Sequence, residues 1–279
     1  MAKKRTIKNK VALSGIGLHS GKSVQLKLIP SASGEIIFKR SDLGNAEFRL
    51  DPAKIMVKNC ILLVTDDGRI QTLEHLLAVL WVYGIDSLMI ELDQEEIPAM
   101  DGSALPFVQA VRQAGVEDLP GDKKILKIAK PFLIKEKDTS ITGVPDAELK
   151  LTYHIEFPHP VIKKQGFSVI VTPENFEAEI APARTFGFLD DVPDLQKKGL
   201  ALGGSFENAV VLDKDRVISG PLRSPDEFVR HKILDLLGDL SLLGNPVKGH
   251  FIAKKAGHDL HLKAVRFLLS NPDYLSPDK

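Results

Sequence analysis

The sequence predicts an α+β protein of two similar domains, each a β-sheet with helices on one face. Three observations carry this. Strand-like segments fill the first forty residues ("TIKNKVALSG", "KSVQLKLIPS", "GEIIFKR") and return as "ILKIAKPFLIKE", "ELKLTYHIEF" and "FSVIVTP", several with the period-two alternation of half-buried strands. Each set is followed by the same rhythm of helix, strand and helix. Between them lies the polar stretch "VEDLPGDKK" at 116–124. It reads as a linker and divides the chain into an N-terminal domain at 1–118 and a C-terminal domain at 125–279.

The elements follow in order. The Gly-rich turn "GIGLHSGK" separates the first two strands. It lacks the G-x-x-x-x-G-K-[ST] spacing of a phosphate loop, and no helix follows it. "TLEHLLAVLWVYG" (72–84) is an apolar helix stopped by Gly84, and "SLMIELD" (87–93) is a strand. "DGSALPFVQAVRQAG" (101–115) is a helix with Asp101 or Ser103 as cap and Gly115 as stop. A loop-rich region carries "ARTFGF" and "GLALGGSFENAVVLD", where Gly203 and Gly204 let backbone approach a ligand closely. The last third reads as helix 225–243, strand 249–255 and helix 258–270.

Composition excludes several classes. With 43% hydrophobic residues in 279, a core of ordinary size can be buried. Lys and Arg number 37, as do Asp and Glu, so no global field attracts nucleic acid or an anionic membrane. The single cysteine, Cys60, rules out an internal disulfide and suits a reducing compartment. The basic N-terminus has no apolar stretch of signal-peptide length, and the longest apolar run, "LLAVLWVYGI", is too short to cross a bilayer. A cytoplasmic protein without stable membrane insertion is expected. Nothing demands a dimer, so a monomer is expected too.

Two helices carry polar groups that need an account. Between Leu73 and Val82 only Glu74 and His75 are polar. Either they sit at a helix end and reach solvent, or they are a metal ligand beside a general base. In "HKILDLLGDL" (231–240), His231, Asp235 and Asp239 recur every four residues, with Lys232 alongside and an apolar face behind. Spacing alone favours a solvated stripe, although His231 and Asp235 at i and i+4 can also grip one ion. His258 follows Gly257 at a strand-to-helix junction. With His261 it is either a metal pair or surface. Thr185 offers a hydroxyl on a loop.

Taken together and in order, "GIGLHSGK", "TLEHLLA", "IPAMDGSALPFV", "IEFPHPVI", "ARTFGF", "GLALGGSFENAVV", "RHKILDLLGDL" and "AGHDLHLKAV" resemble the zinc-dependent UDP-3-O-acyl-N-acetylglucosamine deacetylases, which catalyse the committed step of lipid A biosynthesis. The resemblance runs from about residue 5 to 270. It implies an acylated UDP-sugar as substrate, Zn2+ as cofactor, each sheet packed against two helices and a site between the two domains. It also implies an inserted element in each domain, one near the start and one near 185–215 that shapes an acyl passage.

Carried over by position, the resemblance implies that His75, His231 and Asp235 hold the zinc. Glu74 is then the general base. His258 stabilises the oxyanion and protonates the leaving amine, Asp239 keeps His258 cationic, and Thr185 helps hold the oxyanion. Lys232, Phe186, Phe188, Phe157, Glu156 and His19 are implied as substrate contacts. One segment departs from the family pattern: "VKNCILLVTDD" upstream of the first helix is one residue short, with Cys60 near a position that lines the site in relatives.

Overall fold

The structure, a computed structural model, describes residues 2–278. The first half runs β1 (Ala2–Ile7), β2 (Val11–Ile16), β3 (Ser23–Pro30), β4 (Ile36–Arg40), β5 (Ala46–Arg49), β6 (Ile55–Val57), β7 (Ile61–Thr65), β8 (Gly68–Gln71), α1 (Glu74–Val82), β9 (Leu88–Leu92), α2 (Leu105–Ala114) and β10 (Val116–Lys123). Five strands form one sheet in the order β2-β3-β9-β4-β5, and β6-β7-β8 form a small sheet of their own just before α1. The extra element of this half therefore stands at 55–71 rather than near the start of the chain.

The second half runs β11 (Leu126–Ile128), β12 (Phe132–Glu136), β13 (Thr139–Val144), β14 (Leu149–Glu156), β15 (Lys164–Ile170), α3 (Pro173–Asn175), β16 (Phe186–Phe188), α4 (Val192–Lys197), β17 (Val210–Leu212), α5 (Glu227–Leu240), β18 (Val247–Lys254), α6 (His258–Ser270) and β19 (Leu275–Pro277). Its main sheet has seven strands, with β18 central between β13 and β14. The halves share one connection. In the first, β4 crosses through α1 to a parallel β9 and is followed by α2. In the second, β14 crosses through α5 to a parallel β18 and is followed by α6. Parallel neighbours need such a crossover.

The stretch 116–124 is not a linker. Residues Val116–Lys123 form β10, paired antiparallel with β1 from Ile7↔Val116 to Ala2↔Lys123. The strand is mostly exposed, so its composition is that of a solvated edge, which sequence does not distinguish from a connection. The two halves meet through helices: α1 packs along α5, and α5 also packs on α6 and β14. Hence α5 is enclosed on every side. Its apolar residues and its polar stripe, His231, Asp235 and Asp239, are all buried. The solvated reading of that stripe fails because α1 and α6 cover it.

Helix boundaries follow local chemistry. α1 begins after Thr72, whose φ of +62° breaks the preceding chain, and gives way to Gly84 at φ +68°. α2 has Pro106 in its first turn, and Gly115 ends it at φ +71°. No helix among the described residues is long and apolar enough to cross a membrane.

Candidate active site

Glu74 and His75 open α1 and are buried against α5. One ligand atom from each of His75, His231 and Asp235 lies within 4.8 Å of the others. Asp235 Oδ1 is 3.7 Å from His75 Nε2 and 3.3 Å from His231 Nε2. Donors about 2.0–2.1 Å from a tetrahedral ion stand about 3.4 Å apart, so these three fit one divalent ion. The imidazoles of His75 and His231 meet edge to face at 5.0 Å between centroids.

The set is held ready for a cation. His231 Nδ1–H donates to the carbonyl of Ala183 at 3.0 Å, which leaves Nε2 free towards Asp235. Burial, with His75 and Lys232 nearby, brings the His231 pKa down to about 4, so it is a neutral donor at pH 7. Burial opposes the charge on Asp235, but Lys232 and His231 outweigh it and hold the carboxylate well below its usual range. Lys232 Nζ donates to Asp235 Oδ2 at 2.9 Å.

Glu74 and His258 flank these donors. Glu74 Oε2 accepts from the backbone N–H of Ile61 at 3.2 Å, and its Oε1 is 3.9 Å from His258 Nε2. Burial raises the Glu74 pKa, against the pull of His258 and His75. Burial alone would lower His258. Asp239, bonded to its Nδ1 at 2.7 Å, prevails with help from Asp235 and Glu74 and raises it to about 10. One carboxylate thus tends towards protonation beside an imidazolium that keeps its proton, a pairing suited to acid–base work.

A cavity of about 340 Å³ opens over these groups. Glu74, His75, Thr185, His231, Lys232, Asp235, His258, His19, Phe186 and Phe188 all line it. The remaining wall is largely apolar: Leu18, Leu189, Val192, Leu195, Phe206, Ala209 and Val211. Residues 186–212 supply most of that wall through β16, α4 and β17. Phe157 stands behind it, its ring 5.7 Å from Phe186 and 6.0 Å from Phe188. Glu156 is not brought to the cavity. It points from the other face of β14 into a separate surface hollow and pairs with Lys255 at 2.6 Å. Strand alternation puts neighbouring residues on opposite faces.

Other loop readings shift as well. A Cβ on Gly203 would lie 2.2 Å from the Gly17 carbonyl oxygen, so this glycine allows close approach to protein backbone rather than to ligand. Gly203 N–H donates to Leu18 O, and Ala201 N–H donates to His19 Nδ1 at 3.3 Å. The "GLALGGSF" loop is thereby fastened to the "GIGLHSGK" turn across the mouth of the cavity. His258 and His261 are not a surface pair: Nδ1 of each lies 2.7 Å from Asp239 Oδ2, and with Asp239 they form a second cluster whose ligand atoms lie within 4.8 Å of one another.

Several contributors had no legible trace in the sequence. Glu96, fully buried, accepts from the N–H groups of His19 and Ser20 and from the Thr72 hydroxyl. It ties the Gly-rich turn to the start of α1. Arg184 grips Glu227 through Nε at 2.8 Å and Nη2 at 3.1 Å, which anchors "ARTFGF" on the first turn of α5 and sets Ala183 and Thr185 in place. The departing segment 57–65 supplies the Ile61 N–H to Glu74, lines the cavity with Asn59 and buries Cys60.

Comparison with known proteins identifies the family. The family model for UDP-3-O-acyl N-acetylglycosamine deacetylase matches residues 4–270. A Thermodesulfovibrio yellowstonii protein named UDP-3-O-acyl-N-acetylglucosamine deacetylase is 44% identical over 271 residues, 97% of this chain and 93% of its own. Proteins of the same name from Campylobacter fetus subsp. fetus and Myxococcus xanthus are each 44% identical over 272 residues, 96% of this chain and 92% and 87% of theirs. With a matching family model and near-complete relatives at that identity, the chain belongs to the UDP-3-O-acyl N-acetylglycosamine deacetylase family.

Proposed function

We propose that this chain hydrolyses the N-acetyl group of UDP-3-O-acyl-N-acetylglucosamine, releasing acetate in the committed step of lipid A biosynthesis. One observation supports this above the others: three metal donors, a buried carboxylate and a cationic imidazole converge on one half-apolar cavity. His75, His231 and Asp235 would hold Zn2+, which when bound supplies Lewis acidity to a water molecule and to the amide carbonyl.

Glu74 then takes the proton from the attacking water. Its apolar surroundings raise its proton affinity towards working pH, and the Ile61 N–H keeps one oxygen fixed so that the other faces the reaction. His258 gives its proton to the departing amine. Asp239 keeps it charged until that moment. Thr185 offers a hydroxyl to the developing oxyanion, and the Lys232 ammonium faces the polar head of the sugar nucleotide. His19 borders the same space. Phe186 and Phe188, backed by Phe157, give flat apolar surface to the sugar. The wall from Leu18 to Val211 receives the acyl chain. Glu156 keeps no direct role in this arrangement. The two halves, divided after β10 rather than at 118, are read as two domains acting as one cytoplasmic monomer.

Acetate release from the acylated sugar nucleotide tests the reading. Turnover is expected to vanish with metal removal, to return on adding zinc, and to be lost in Glu74→Ala with metal retained. Turnover that survives complete metal removal overturns it.

A further inference from the structure

We infer that Tyr153 and His261 are positioning residues for His258, which they hold through a closed loop of polar contacts. The inference rests on the role given to His258 above. Both residues are fully buried, and neither lines the cavity. Asp239 Oδ2 meets His258 Nδ1 and His261 Nδ1, each at 2.7 Å. With Nδ1–H of His261 directed at Asp239, its Nε2 is an acceptor 3.0 Å from the hydroxyl of Tyr153, and the carbonyl of Ala256 is a second acceptor 2.8 Å from it, so the single hydroxyl proton serves both. Ala256 is two residues before His258. The chain of contacts therefore leaves the side chain of His258 and returns to its own backbone.

Both ends of this loop bear on where the His258 proton points. At one end the carboxylate of Asp239 is fixed by a second imidazole. Its Oδ1 is buried without a partner, so Oδ2 alone sets the orientation. At the other end Tyr153 pins a strained turn. Lys255 has φ +47°, a conformation unfavourable for a residue with a Cβ. Its N–H is held by the His154 carbonyl at 2.8 Å, next to Tyr153 on β14. Gly257 then starts α6 from extended backbone, with its carbonyl accepting from His261 N–H. Rigid support of this kind is what a proton donor needs, because small displacements of a catalytic group are costly to rate.

The test uses the metal-loaded protein with Tyr153→Phe, which removes one oxygen from a fully buried ring. kcat is expected to fall on the order of 10-fold, as for loss of an outer hydrogen-bond partner. KM and metal content are expected to stay within twofold of the parent. The low-field Nδ1–H resonance of His258, assigned by its loss in His258→Gln and read without substrate, is expected to move. A parental kcat, or a resonance that does not move, overturns the inference. If Tyr153→Phe does not fold, His261→Asn serves. It keeps an amide donor towards Asp239 but breaks the link to Tyr153, so the same kcat loss is expected and a parental kcat overturns the inference. The parent's own acetate release separates failure of this inference from failure of the assigned reaction.

Discussion

A Cβ placed on Gly238 of α5 would lie 2.2 Å from the carbonyl oxygen of Glu74 on α1 and 2.7 Å from its Cα. This contact sets the distance between the two helices that carry the candidate metal donors and the proposed base. Gly238 lies between Asp235 and Asp239 in sequence, so the approach brings Glu74 and His75 over that polar stripe. A methyl group here meets backbone, which cannot rotate away. Gly238→Ala is expected to destabilise by about 1–3 kcal/mol, as for overpacking of a core. A drop in Tm of several degrees, together with weaker metal binding, would be seen by calorimetry and metal analysis. Unchanged metal affinity would show that the helix spacing is not what sets the site.

Arg184→Met is expected to destabilise more. It leaves the Glu227 carboxylate, at 0% exposure, without its bidentate partner. Breaking a buried ion pair from one side costs about 3–5 kcal/mol. Replacing both partners with Arg184→Met and Glu227→Met should recover only part of that stability: no charge is then stranded, but the backbone N–H groups of Arg184 and Arg223 lose Glu227 as their acceptor. Activity should recover less, because Ala183 and Thr185 lose their anchor. Denaturant unfolding of the two single variants and the double variant separates these effects.

The 3.6-residue repeat of an apolar face marks α2, α5 and α6, whereas α1 is marked by its nearly unbroken apolar run and the Gly84 that stops it. Periodicity could say that His231, Asp235 and Asp239 share a face but not that α1 and α6 cover it. The solvated reading was therefore the natural one until a collinear family resemblance supplied the partner helix. β10 was missed for a related reason: an exposed edge strand carries the residues of a loop. Phe186 and His258 were found through their motifs. Ala183, Ile61 and Ala256 act through backbone groups, which every residue possesses, so no side-chain pattern marks them.

The pH profile follows from Glu74 and His258. Burial raises the Glu74 pKa, so the base is lost as pH falls through a value above the ordinary carboxylate range. His258 loses its proton near pH 10. kcat/KM is therefore expected to be bell-shaped, with a bound cation drawing both limbs lower. Glu74→Gln should abolish the acid limb with most of the rate. Stability follows the same groups. His258 has its folded pKa raised above about 6.5, so its contribution is complete below that pH. It is lost as pH rises through about 10. Asp239 is lowered: burial works against this, but His258 and His261 outweigh it. Its contribution is present above the unfolded carboxylate pKa and lost as pH falls through the lowered one. In Asp239→Asn the Tm should lose both dependences.

With the acyl chain seated on the apolar wall from Leu18 to Val211, as proposed, acyl length becomes measurable as free energy. Each methylene withdrawn from water is worth about 0.8 kcal/mol, or about fourfold in binding. Shortening the 3-O-acyl chain is expected to raise KM by that factor per carbon while kcat holds, because the wall touches no reacting atom. The dependence should flatten once the chain no longer reaches Leu195 and Val192 on α4, both of which line the cavity. Leu195→Ala should weaken the longest chains and leave the shortest unaffected. Steady-state kinetics on a series of acyl lengths distinguishes this from a general loss of folding, which would lower kcat for every member of the series equally.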